Sequence, residues 1–427
     1  MLNISKLSFK GMFGFTLMLA IALFGANHRW SLLATLLALL LGCVALFFEK
    51  GLITADQKRL LIITYAGILT FSGTIWILLW FQESDLRFYD NYSRLFLLSP
   101  LIYFIVRFDF SDKFIFWGCY LGVGLAISNI IFSYNLGDKA RLHYFNSLSL
   151  GNIAAEFFLI FAGLFLFSKR SKPEKYILVF LCVILFVLAL MTGTKGIWLA
   201  IFSILLLIFF HIGTIRNKFY LLLSVFLIIV TVNYVSNNML YERVNAASDA
   251  VSCLILDVDK FVCDDSSVTP RLWMWDFALN RFYDSPWFGH SPDSFQSEFK
   301  NAANQGEVPQ NLGGLNNPHN DFMKILYDFG LLGLIAFFAL IAVIFRVSIA
   351  CISKGGAHGK TWGYVLSMHL LFSVELGLTQ SNFAVSSQVY HFAFFSCLLL
   401  GLAVKSIRNC GSVEVVSSKN PFFNLMK

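Results

Sequence analysis

The chain has 427 residues, of which 57% are hydrophobic and only 13% charged, with a formal net charge of +7. Soluble domains carry roughly 25% charged residues, so composition excludes an ordinary soluble globular protein. The apolar runs are continuous rather than alternating, which excludes a transmembrane barrel, and the excess of Lys and Arg tracks alternate short loops rather than any nucleic-acid-binding face.

In chain order, apolar windows long enough to cross a hydrocarbon core of roughly 30 Å fall at 10–26, 30–48, 59–81, 93–107, 114–134, 148–168, 175–192, 196–212, 219–236, 321–346, 361–378 and 387–405. They predict an all-α polytopic membrane protein with about twelve transmembrane helices and one long, partly helical periplasmic loop. The first window follows Lys6 and Lys10 like a signal peptide. A second window follows at once with no cleavage signal, so it reads as an uncleaved helix. Lys50, Lys58, Arg59, Arg107, Lys113, Lys169, Arg170, Arg216, Lys218, Arg346, Lys354, Lys360 and Lys405 fall on one side. That bias sets both termini in the cytoplasm.

The expected organisation is a nine-helix transmembrane block at 1–236, a loop at 237–320 on the periplasmic side, and a three-helix block at 321–427 ending in a short cytoplasmic tail. The loop holds eleven carboxylates against five Lys and Arg, which fits the non-cytoplasmic face. A loop of that length inside a membrane protein points to function or to structure of its own. Within it, Thr269-Pro270 followed by Leu272, Trp275, Leu279 and Phe282 at helical spacing predicts an amphipathic helix near 270–284 lying on the bundle or the membrane surface. Cys253 and Cys263 are the loop's two cysteines, and in an oxidising compartment they are candidates for a disulfide. The remaining cysteines read as small apolar filler.

The candidates for chemistry gather at the outer ends of the spans. His319, in Asn316-Asn-Pro-His-Asn-Asp321, sits at the end of the loop just before a span, where a neutral imidazole can accept a hydroxyl proton. Asn320 is a good N-cap for the helix that follows. Arg271 opens the loop helix among aromatics, and Arg suits a two-point grip on phosphate oxygens. Lys195 occupies a very short outer turn, against the charge bias, and Arg94 opens another span on the same face. Glu156 and Glu375 fall inside spans, where a carboxylate is costly and usually faces a partner or a cavity. Neither has the carboxylate company of a two-acid glycosidase. The other histidines, His290 of the long loop included, show no ligand spacing and read as packing or interfacial residues. No metal shell and no nucleotide-binding motif is expected, and no cofactor.

Three segments together resemble the O-antigen ligase family of bacterial envelope enzymes. Met191-Thr-Gly-Thr-Lys-Gly-Ile-Trp-Leu-Ala200 is similar to the family's Thr-x-(Ser/Thr)-Arg-(Gly/Ala) span. Arg271-Leu-Trp-Met-Trp-Asp-Phe-Ala-Leu279, followed by Asp284-Ser-Pro-Trp-Phe-Gly289, is similar to its Arg-led loop helix and Pro-x-x-Gly turn. Pro318-His-Asn-Asp-Phe322 through Gly330-Leu-Leu-Gly333 is similar to its His-Asn element. The resemblance implies a glycosyltransferase of the GT-C type in the bacterial inner membrane. It would move a polysaccharide from undecaprenyl pyrophosphate to a sugar hydroxyl of lipid A-core at the periplasmic face, without metal and with inversion. His319 would take the base role, and Arg271 with Lys195 the pyrophosphate. Membrane lipids are implied as surroundings, and nucleic acid is not a partner. The family's arginine is Lys195 here, which keeps the charge but loses the planar fork, so Arg94 would share the duty. An O-antigen polymerase or a protein O-oligosaccharyltransferase would use the same donor. A polysaccharide transporter is a different class, expected to show paired repeats and helices broken at mid-membrane.

Overall fold

The structure is a computed structural model that describes residues 9–48, 51–108, 110–135, 147–211, 214–235 and 268–407, with isolated positions between 235 and 268. Among the described residues there are helices and no strands. Among the described residues, ten α-helices precede the long loop: α1 Phe9–Phe24, α2 His28–Phe48, α3 Ala55–Phe81, α4 Tyr89–Leu98, α5 Pro100–Arg107, α6 Lys113–Asn135, α7 Ser147–Phe167, α8 Lys172–Met191, α9 Lys195–His211 and α10 Ile215–Val235. Then come α11 Thr269–Phe282, α12 Ser294–Gln305, α13 Asp321–Lys354, α14 Gly356–Thr379 and α15 Ser386–Ser406.

Seven of these are long and apolar enough to cross a membrane: α2, α3, α7, α8, α10, α13 and α15. The other five expected spans take different forms. Two are the shorter apolar helices α1 and α9. The window 93–107 is divided at Ser99-Pro100 into α4 and α5, because Pro100 lacks the N–H that would bond back into α4. The last two are α6 and the more polar α14.

α7 and α15 form the interior of the bundle, with 83% and 89% of their spans buried, whereas α10 is 6% buried and lies at the rim. Apolar side chains gain little from leaving lipid for protein, so close approach and polar links hold such helices together. Small residues supply the first. Gly42 leaves room for the Phe104 ring, Gly163 for Val365 and Gly401 for Ile105. Polar links supply the second. The Tyr390 hydroxyl lies 3.1 Å from Ser31 Oγ and 2.9 Å from Thr35 Oγ1, tying α15 to α2.

The feature that positions the candidate site is a reversal inside α13. Gly330 has φ 61° and ψ −159°, which no helix contains, so 321–329 folds back against 331–354. Phe322 consequently packs on Phe337 and Phe338, at ring distances of 5.8 and 5.7 Å. At 1.5 Å per residue, the Asp321 end reaches about 10 Å along the second limb. The expected single span from 321 is therefore a helical hairpin followed by a span. The turn after α11 closes the corner. Leu331 and Leu332 donate backbone N–H to Pro286 and Trp287, and His290 and Ser291 donate to Tyr327 and Asp328, all at 2.8–3.3 Å. A second, smaller core holds α11 and α12 on the hairpin, with Phe277, Phe295 and Phe299 packed around Tyr327.

Candidate active site

His319 stands at the mouth of the hairpin, fixed from three directions. Trp275 of α11 donates Nε1–H to Pro318 O at 2.7 Å. The next residue, Asn320, caps the hairpin by accepting N–H from Phe322 and Met323 at 2.9 and 3.1 Å. Asn320 also gives its own N–H to Ser381 Oγ at 3.0 Å and its amide to Leu378 O at 3.1 Å. His319 itself is held at φ 49°, a left-handed conformation that the Asn317 side chain supports by accepting its N–H at 3.1 Å. A non-glycine residue kept there needs surroundings that over-determine it. The clamp of Pro318 and Asn320 does this.

The imidazole is half-buried. Burial first, and the Arg271 charge second, hold its pKa below the usual histidine value; a hydrogen bond with the Gln380 side chain works the other way. The ring is therefore neutral at pH 7 and able to take a proton. Arg271 acts on it from the first turn of α11. Lys195 belongs to a third element, the first turn of α9. A methyl group added at Gly196 would overlap Thr379 Oγ1, so the first turn of α9 is seated on the end of α14, beside Gln380. The hairpin, α11, α9 and the α14–α15 connection thus meet around His319.

The other candidates have partners of their own. Arg94 is committed to Asp90 Oδ2 and Ser386 O, each at 2.5 Å. Glu156 is wholly buried in the bundle, and both its oxygens lie 2.9–3.0 Å from His369 Nδ1. The Nε2 of that ring meets Ser396 Oγ at 2.9 Å, so the three side chains form a satisfied chain joining α7, α14 and α15. Glu375 bonds Ser203 of α9. His290 belongs to the loop core, with Nε2 2.6 Å from Arg281 O and its ring stacked on Tyr327. Cys253 and Cys263 lie outside the described residues. Among the described residues, no three His, Cys, Asp or Glu side chains gather closely enough to share a metal ion.

Several polar residues at the site were not singled out from sequence. Lys324 and Asp328 form a buried ion pair at 2.7 Å within the hairpin, and Tyr92 donates to Asp328 Oδ2 at 3.1 Å. Asp321 accepts from Asn382 Nδ2 at 2.8 Å and from the Phe383 N–H at 3.1 Å. Their signal was present: three charged residues in the first eight positions of an apolar run are hard to reconcile with a plain span.

A family model described as O-Antigen ligase matches residues 180–338, from α8 into the second limb of α13. That segment is similar to the O-antigen ligase family. Within the matched segment lie Lys195, Arg271, His319 and the Gly330 corner, whereas the connection that carries Gln380 lies beyond it. An uncharacterized protein of Haemophilus influenzae is 23% identical over 366 residues, covering 82% of this chain and 88% of that protein.

Proposed function

We propose that the chain transfers a polysaccharide from undecaprenyl pyrophosphate to a sugar hydroxyl of lipid A-core at the periplasmic face of the inner membrane. The observation that carries this is the half-buried imidazole of His319, kept neutral by burial and by the Arg271 charge at the hairpin mouth. His319 takes the proton of the acceptor hydroxyl as its oxygen bonds to the anomeric carbon. The bond from that carbon to the pyrophosphate oxygen breaks on the opposite face, and the configuration inverts. Arg271 and Lys195 stabilise the charge gathering on the departing pyrophosphate, a duty often given to a metal ion. In this arrangement the long loop and the hairpin face the periplasm, both termini are cytoplasmic, and the chain divides at 1–236, 237–320 and 321–427. The grooves between spans hold the polyprenyl tail, as in a GT-C transferase.

The test is transfer by purified protein between a lipid-linked donor and a defined lipid A-core acceptor, with and without EDTA. Core bearing polymer, formed equally in chelator, supports the proposal; no transfer overturns it. Lipopolysaccharide from a deletion strain separates the neighbouring activities. Core with no polymer, beside polymer accumulating on the lipid carrier, marks a ligase. Core capped by one repeat unit marks a polymerase, and unchanged lipopolysaccharide with unglycosylated protein marks a protein O-oligosaccharyltransferase.

A further inference from the structure

α3 and α13 are both long and apolar enough to cross a membrane, and they pack closely where Gly67 meets Val343. They run antiparallel. At one end Gln82, just past α3, donates to Asp328 O of the hairpin at 2.7 Å. At the other, Lys354 closes α13 and pairs with Asp56 in the first turn of α3 at 3.6 Å. Beside that ion pair the two helices leave an open groove with about 170 Å³ of cavity space. Arg59 and Arg346 line it together with Asp56 and Lys354. About 35 Å of α3 separates Arg59 from Gln82, so the groove lies at the end of the bundle away from the hairpin corner. The proposed orientation puts that end in the cytoplasm.

The charges in the groove do not balance. Three cations face one carboxylate, and Lys354 already takes Asp56. Among the described residues, no hydrogen bond, ion pair or ring contact engages Arg59 or Arg346. A guanidinium cannot shed its proton to relieve this. Arg346 also sits inside the span, eight residues and about 12 Å before Lys354. Its exposed neighbours Phe345 and Ile349 are apolar, as is the exposed Ile62 of α3. A charge at that depth is costly unless an anion meets it.

The surroundings say which anion. The rest of the lining is apolar, from Leu60, Ile63 and Ala350, so hydrocarbon belongs beside the charge. By the register of Gly67 on Val343, Arg346 lies about 7 Å deeper than Arg59. Two long side chains at those levels can close on one phosphate, which Arg grips in a two-point fork. A zwitterionic headgroup would bring an ammonium into a groove that already carries excess positive charge. A headgroup with net negative charge would not.

We propose that this groove binds the phosphate of an anionic phospholipid, with Arg59 and Arg346 on its oxygens and the acyl chains along α3 and α13. The lipid then pins α3 to the limb of α13 whose far end carries the Gly330 corner. The site stands apart from the transferase function proposed above and does not depend on it.

The experiment titrates delipidated full-length protein in neutral detergent with phosphatidylglycerol, phosphatidylcholine or sodium phosphate. Bound lipid is counted by native mass spectrometry, and unfolding temperature is read in parallel. Wild type should hold one phosphatidylglycerol roughly tenfold more tightly than phosphatidylcholine. Its unfolding temperature should rise with that lipid and not with sodium phosphate at equal concentration. The double change Arg59→Gln, Arg346→Gln should abolish the preference and leave the lipid-free unfolding temperature as it was, since neither side chain has a partner to lose. Arg346→Lys, which keeps the charge without the fork, should retain part of it. Lys58→Gln removes the same charge next to Arg59 but outside the groove, and should retain all of it. Equal binding of the two lipids by wild type, or a preference that survives the double change, overturns the site. A loss as large in Lys58→Gln as in the double variant overturns it in favour of diffuse charge attraction. Sodium phosphate matching the lipid overturns the phospholipid as occupant.

Discussion

Replacing Gly330 by Ala tests the hairpin that carries His319 to its place. A Cβ at this position would lie 2.5 Å from Trp287 C, 2.6 Å from Trp287 O and 2.8 Å from Phe288 N. All three are backbone atoms, so no rotamer change relieves the overlap. The conformation at φ 61° and ψ −159° is in addition one that residues with a Cβ hardly enter, at a cost of about 1–3 kcal/mol. If the corner opens instead, it loses up to four backbone hydrogen bonds, worth about 1 kcal/mol each. Either route gives about 3 kcal/mol, close to a hundredfold in the population of the closed hairpin. Gly314 is the control, since a methyl group there meets nothing within 4 Å. Limited proteolysis and thermal unfolding in detergent should show Gly330→Ala opening the loop, with transfer falling in proportion and Gly314→Ala unaffected. A Gly330→Ala protein as stable and active as wild type would refute the hairpin.

The pH profile follows from His319. Its folded pKa lies below 6.5, so transfer should stay level from pH 7 into mild acid and fall only once the ring protonates. Arg271→Gln removes one of the two influences lowering that pKa, so its normalised acid limb should move to higher pH. The sign for stability is the same: below pH 6.5 the unfolded chain takes the proton first, and stability falls with pH until the folded ring protonates too. Calorimetry should show this slope reduced in His319→Gln. Asp328→Ala leaves Lys324 buried without its partner and should cost about 3–5 kcal/mol by thermal unfolding, whereas the double change Lys324→Met, Asp328→Leu should recover most of it. Lys195→Ala should lower transfer strongly and Lys195→Arg should keep it. Arg94→Ala should cost less than fivefold in rate, because its guanidinium is held by Asp90 and Ser386 O.

The helical membrane character was legible because backbone groups in lipid must bond within their own segment, so continuous apolar runs such as 30–48 and 175–192 leave little choice. The helix start after His319 was legible because Pro-His-Asn-Asp places a good cap, Asn320, directly before the apolar run. Single-run periodicity could not show what depends on partners far along the chain. Glu156 and His369 are separated by 213 positions, and the pairing of 286–291 with 327–332 joins two stretches that look unrelated in sequence. The run from Phe322 reads as one span because Gly330 interrupts no apolar pattern; only the backbone reversal reveals it.

The most direct measurement is made on purified wild type, His319→Ala and Arg271→Ala side by side, with lipid-linked donor binding and transfer rate read from the same samples. The expected result is that His319→Ala binds donor as wild type does while transfer falls by roughly 10²–10⁴, and that Arg271→Ala loses donor affinity. Transfer by folded His319→Ala at the wild-type rate would contradict the assignment of that imidazole as the base.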